Sequence, residues 1–446
     1  MALPTTIGST RTAAEHRADH QTLHRTYNRL YNVKDYGAVG DGVTDDSTAI
    51  IAARDALVAA AEFITADGGA VCDGTLYFPK GKYKVTQQNA LMSSPTGGQQ
   101  TVLFNFRILG EGRRSSEVVF SSTQTATTDP RLGNLMLLAN RTRGMRVESI
   151  AFRSTNANQC FAWYWCTTGV GTYPEYGSGG AQNDIKYTDV EWIGPWKRVI
   201  GLDGSATANQ NSELVMEKCV LTSTGVFGDA FFRAGGVEGN VQAQQDQFVN
   251  YAFRDCLFEY GSGDLLVFDK GGYVTIDGGS WINGLDTVAA ACFIRMGNQT
   301  HFDSTQFLNM RNARFELRTT ACRVLDTYWT DAGSAFTFEN VWVLNNAAAS
   351  LPEHVTFQFR STNSVMARIK FLNCTIGGYM LFDLVGNAIN SQGRAVFEQC
   401  YWKSWTFAAS GLVPATVAAG ASAFRYSSGT IKYQLINCWN VADIKN

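Results

Sequence analysis

From residue 147 onward, apolar and polar residues alternate in short runs that change phase at one repeated point. In Tyr251 to Glu259 (YAFRDCLFE), Phe253, Cys256 and Phe258 fall on one side, while Arg254 and Leu257 fall on the other. Side chains alternate with period two along a strand, so a phase change at Asp255 predicts two short strands meeting at a tight bend. Asp, Asn and Gly suit such a bend because they tolerate left-handed backbone angles. The same pattern starts at Val147 (VESIAF), Tyr187 (YTDVEW), Met216 (MEKCVL), Ile276 (IDGGSW), Met310 (MRNARF), Phe338 (FENVWV), Phe371 (FLNCTI), Phe397 (FEQCYW) and, loosely, Leu435 (LINCWN). Ten starts between 147 and 435 give nine intervals over 288 residues, or 32 on average. A constant corner with loops of variable length marks a solenoid. The recurring residues are aromatic, β-branched or Cys at strand spacing, which excludes helical and leucine-rich repeats and predicts an all-β fold, a parallel β-helix.

Composition agrees with that architecture. The 446 residues are 45% hydrophobic, with 43 Gly and 8 Pro, as expected for many bends joining central strands that cannot lose a backbone donor. A net charge of −2 lacks the basic footprint of a nucleic-acid binder. No apolar run approaches the roughly 18 residues of a membrane span. The polar stretch from Thr5 to His24 does not read as an ordinary signal peptide. Neither nucleic acid nor membrane is therefore expected as a partner. Five of the ten Cys (Cys219, Cys256, Cys374, Cys400, Cys438) occupy one inward position of the repeat and read as free, buried hydrophobes of a chain folding in a reducing cytosol. There is no CxxC pair, phosphate loop or dinucleotide fingerprint, and no metal or cofactor is expected. His301 and His354 have no motif around them, so no Ser-His-Asp triad is predicted.

At the N-terminus, Ala13, His16, His20, Leu23, Tyr27 and Leu30 recur at alternating spacings of three and four, a heptad seam that predicts a helical stalk over residues 9–30 packing several chains together. His16 and His20 read as polar layers that set register, with a ring of metal ligands as the alternative. The stretch NVKDYGAVGDGVTDD (Asn32 to Asp46) follows, then an amphipathic helix from about Ser47 to Phe63. Asp45 or Asp46 would cap that helix, a structural role preferred over metal binding for Asp41, Asp45 and Asp46.

With Gly68-Gly69, the LYFPKGKY stretch from Leu76 to Tyr83 and ILGEG from Ile108 to Gly112, these motifs resemble the start of the pectate-lyase-like superfamily of right-handed β-helices, especially phage tailspike and depolymerase proteins. The resemblance covers about residues 32–112 and implies that the helix caps the open end of the coil, an edge otherwise prone to aggregation. It divides the chain into a stalk for virion attachment and oligomerisation (1–31), an N-terminal cap with the first coils (32–112) and a β-helix body (113–446). It further implies a homotrimer attached through its N-terminus to the phage tail or baseplate. Such a protein assembles in the host cytoplasm, acts outside the cell from the virion, and binds and depolymerises a bacterial surface polysaccharide.

Outward positions of the repeat are where a polymer could lie. The second position places Glu217, Arg254 and Asp277 on consecutive coils, with Glu217 and Asp277 about 9.6 Å apart at roughly 4.8 Å per coil. Side-chain lean brings that pair toward the ~6.5–9.5 Å window of an inverting glycosidase. Arg254 between them lowers both pKa values, which suits the base better than the acid. A lyase would use Arg254 near a uronate, with the carboxylates holding Ca²⁺. A ladder of alternating charges is the structural alternative. Glu191, with Glu148 or Asp189, forms a second catalytic candidate. Trp163, Trp165, Tyr173 and Tyr176, placed in an inserted loop, together with Trp342 and Tyr401 at fifth positions, offer faces for stacking on sugars or for packing on another subunit. Hydrolysis is the first reading, with non-enzymatic receptor binding and lyase action as alternatives.

Overall fold

A computed structural model describes residues 29–64, 69–93, 102–123, 134–140, 142–165, 181–182, 184–203, 210–211, 213–223, 226–235, 250–269, 272–284, 291–297, 305–318, 322–329, 333–345, 355–361, 367–384, 395–403, 405–408, 411–414, 424–428 and 433–438. The chain folds as a right-handed parallel β-helix. A representative coil has three strands, Tyr251–Arg254, Leu257–Tyr260 and Ser262–Phe268, which contribute to the first, second and third faces. Among the described residues, the first two faces join into one sheet of 23 strands through parallel pairings, and the third face is a parallel sheet of 10 strands.

The predicted bend separates the first two faces in each copy of the repeat for which both faces are described. Its third residue is left-handed throughout, with φ of 50° at Asp255, 56° at Asn312, 53° at Asn340 and 50° at Asn373, and the less tolerant Lys218 and Gln399 take 54° and 51°. Pairing along the helix axis holds those backbones in place: the Lys218 amide donates to the Arg254 carbonyl at 2.9 Å, and Asp255 donates likewise to Asp277 at 2.9 Å. The Asn side chains add a second ladder, since Asn340 donates to Asn312 at 3.1 Å and Asn373 donates to Asn340 at 2.8 Å. At Gly278-Gly279 both residues are left-handed, and a Cβ on Gly279 would lie 2.2 Å from the Cys256 carbonyl oxygen, so glycine is required there.

The inward positions build one continuous core. Phe253, Cys256 and Phe258 are all buried, and Phe338, Phe371 and Phe397 stack along the axis with centroids 4.2 and 5.1 Å apart. The described cysteines are free and buried, including the five assigned to the inward position.

The capping helix spans Ser47–Ala59 and buries Ile50, Ala53, Arg54 and Leu57. It stops four residues before Phe63 because Glu62–Ile64 pairs antiparallel with Gly69–Val71. Asp45 accepts from the Ser47 amide at 3.1 Å, whereas Asp46 turns back to the amides of Val39 and Gly40 at 2.6 and 3.2 Å. Asp41 accepts from Val43 and Thr44, both at 2.8 Å. These carboxylates are thus spent on backbone donors, the structural role expected of them. The expected stalk, with His16 and His20, falls almost wholly outside the described residues. Leu30, read as its last seam position, instead begins the strand Leu30–Asn32, which pairs with Thr75–Phe78.

Candidate functional site

On the first face, second positions align in one register from Glu148 through Thr188, Glu217, Arg254, Asp277, Arg311, Glu339, Leu372 and Glu398 to Ile436. Parallel pairing without slippage converts a sequence repeat into a straight column of outward groups. Glu217 and Asp277 therefore stand two strands apart on either side of Arg254. Each carboxylate already has another cation: Lys186 Nζ lies 2.7 Å from Glu217, and Arg311 Nη2 lies 2.6 Å from Asp277, which also accepts from Asn312 at 3.2 Å. The Lys186 contact holds Glu217 below the usual carboxylate range, and the Arg311 hydrogen bond does the same for Asp277 against a smaller opposing effect of burial. Both are charged at neutral pH, the state of a base or an anchor and not of a proton donor. Among the described residues, no group of three or more His, Cys, Asp or Glu is placed to hold a metal.

The second-choice acids are also committed to arginines. Glu191 is buried beneath Arg114, which grips both carboxylate oxygens at 2.8 and 2.6 Å. Glu148 accepts from Arg107 at 2.6 Å, and Asp189 pairs with Arg113 at 3.0 Å. On the second face Trp342, Thr375 and Tyr401 are aligned, with Trp342 51% exposed and Tyr401 half-buried.

Trp163 corrects the expectation of a stacking loop. It lies within the third-face strand Gln159–Trp165, and its ring is buried under the Arg198 guanidinium, 4.7 Å from the centroid. Burial in that contact removes it as an open sugar platform. The Trp165 side chain, Tyr173 and Tyr176 lie outside what is described.

Sequence reasoning missed a charge network on the outward side of the third face. Arg233, Arg295 and Asp326 share the outward row, while Phe232, Leu266, Ile294 and Leu325 point into the core. Asp229 is held by Arg198 and Arg233, each at 2.6 Å, and Arg233 reaches Asp269 at 2.7 Å. Arg295 joins Asp264 at 3.0 Å to Asp326 at 2.7 Å, and Asp326 also receives Arg323 at 3.3 Å and Arg360. Each of these aspartates is held by at least one guanidinium, so the network supplies fixed, neutralised charge and no free base.

The stacked coils and outward column define a right-handed parallel β-helix. Residues 30–96 match the family described as rhamnogalacturonase A/epimerase, pectate lyase-like. Mannuronan C5-epimerase AlgE5 of Azotobacter vinelandii is 29% identical over 288 residues, 58% of this chain and 25% of the relative, so the chain spans only about a quarter of that protein. Among solved structures, the Streptococcus pneumoniae surface adhesin PfbA aligns over 89% of this chain and 99% of its own, at 11% identity and a TM-score of 0.48. ORF18 of Geobacillus virus E2 aligns over 97% and 66% respectively, at 13% identity and a TM-score of 0.30.

Proposed function

We propose that this chain is a tailspike-type protein that lays a bacterial surface polysaccharide along its β-helix and depolymerises it. The observation carrying this reading is the unbroken outward column from Glu148 to Ile436, a linear array suited to a linear polymer. A relative whose name identifies mannuronan as its substrate supports a glycan ligand. The homotrimer and the attachment to a phage tail form part of the same proposal. Hydrolysis at Glu217 and Asp277 would require one of them to be protonated, and the ion pairs with Lys186 and Arg311 oppose that. This commitment of both carboxylates favours a second reading, capture of the glycan without cleavage on this face. Purified protein incubated with capsule or O-antigen from a susceptible host should lower the polymer's size in chromatography. Binding with no change in size would replace depolymerisation by receptor recognition, and an absence of binding to any host glycan would reject both.

A further inference from the structure

Arg254 differs from its neighbours in the first-face column. Lys186 is tied to Glu217, Arg311 to Asp277 and Lys370 to Glu398, whereas Arg254 is exposed and its side chain makes no hydrogen bond or ion pair among the described residues. Lys218, at the adjoining bend, is exposed as well. Around this point Lys186, Lys218, Arg254 and Arg311 accompany Glu217, Asp255, Asp277 and Glu339, four cations with four carboxylates, so it is the pairing of the others and not an excess of charge that sets Arg254 apart. The two carboxylates nearest Arg254 in the column are already neutralised, which leaves its planar donor fork available for an incoming anion.

The same outward side carries an aromatic platform at its other edge. Tyr273 and Phe307 are in register, with ring centroids 5.6 Å apart and a 38° tilt, and Tyr273 is 42% exposed. Tyr273 precedes Asp277 by four residues on one strand, a span of about 13 Å at roughly 3.3 Å per residue. Thr275 and Asn309, also paired in register, lie between the two edges and supply a hydroxyl and an amide.

We infer that this strip is a binding subsite for an acidic oligosaccharide segment, with Arg254 receiving a sugar carboxylate and Tyr273 with Phe307 stacking a neighbouring ring. The inference rests on the proposed glycan-binding role and adds the charge class of the ligand. Aromatic faces accept sugar rings through their apolar sides, and a guanidinium selects a carboxylate over a hydroxymethyl group. An exposed arginine in a purely structural ladder would contribute little by comparison.

The test uses the full chain with polymannuronate, polygalacturonate and hyaluronate, each alongside its carboxyl-reduced form, and with neutral dextran. The wild type should bind at least one acidic polymer, and carboxyl reduction should weaken that binding by about tenfold or more, equivalent to about 1.4 kcal/mol. Arg254→Gln should cause a similar loss, Arg254→Lys a smaller one, and Lys370→Gln should leave affinity unchanged. Raised salt should weaken binding to the acidic polymer more than any binding to dextran. Equal binding of reduced and unreduced polymers, or an unaltered Arg254→Gln variant, would overturn the acidic subsite while leaving the glycan-binding reading standing. No binding to any of these polymers would overturn the subsite, and failure on host glycan as well would remove the broader reading.

Discussion

Asp229→Ala is expected to destabilise the protein by about 3–5 kcal/mol, the usual cost of removing one partner from a buried ion pair. The Arg198 side chain is fully buried and Asp229 is 2% exposed, so deletion of the carboxylate takes a charged partner from a guanidinium that water cannot reach. Arg233 loses the same partner but keeps Asp269. Burial pushes the Asp229 pKa up, but Arg233 and Arg198 outweigh it and hold the group below its ordinary value. The folded-state pKa is therefore depressed. Its stabilisation is present above the unfolded-state value and is lost as pH falls through the folded-state value. Denaturant titrations across acid pH should show wild type losing its advantage over Asp229→Asn as the carboxylate protonates. Because each coil contacts only its neighbours, hydrogen exchange should rise first in the coils holding Arg198, Asp229 and Arg233. A cost no larger than the roughly 1 kcal/mol of an exposed pair would contradict this role.

Trp281→Ala should cost a comparable amount, about 3–5 kcal/mol, through cavity formation in place of charge. Trp281 is fully buried at the repeat's sixth position, with ring centroids 6.1 Å from Phe253, 4.9 Å from Phe258 and 5.7 Å from Phe315. Its removal opens a void spanning three successive coils, and none of these rigid aromatic neighbours can fill it without leaving its own stack. Trp281→Phe should recover much of the loss. Thermal and denaturant unfolding of both variants measures this, and equal stability of Trp281→Ala and wild type would show that the stack does not hold the coils together.

The first two faces were legible because the period of two and its reversal at one turn residue are local features. Knowing that Asp255, Asn312 or Asn340 is the bend fixes which neighbours point outward, and constant pairing across coils then places Glu217, Arg254 and Asp277 in one column. What each of those groups touches could not be read, because Lys186 reaches Glu217 from two residues before the second position of the preceding coil. The third face was hidden for a related reason. It follows no bend motif, and segments of unequal length separate Arg233, Arg295 and Asp326, so their shared row has no sequence period. Trp163 was misplaced because an aromatic-rich stretch beside a Gly-rich run resembles an exposed loop, although Gln159–Trp165 is a strand of the third face. The cap was readable in type and start but not in length, since the pairing partner of Glu62–Ile64 lies beyond a separate segment.

The central claim, that a glycan lies on the outward side of the first face, is tested most directly by hydroxyl-radical footprinting of the full chain with and without the host polysaccharide. Protection is expected at Tyr273 and Phe307, with little change at Tyr328 on the third face. Protection confined to the third face, or none on the first, would contradict it.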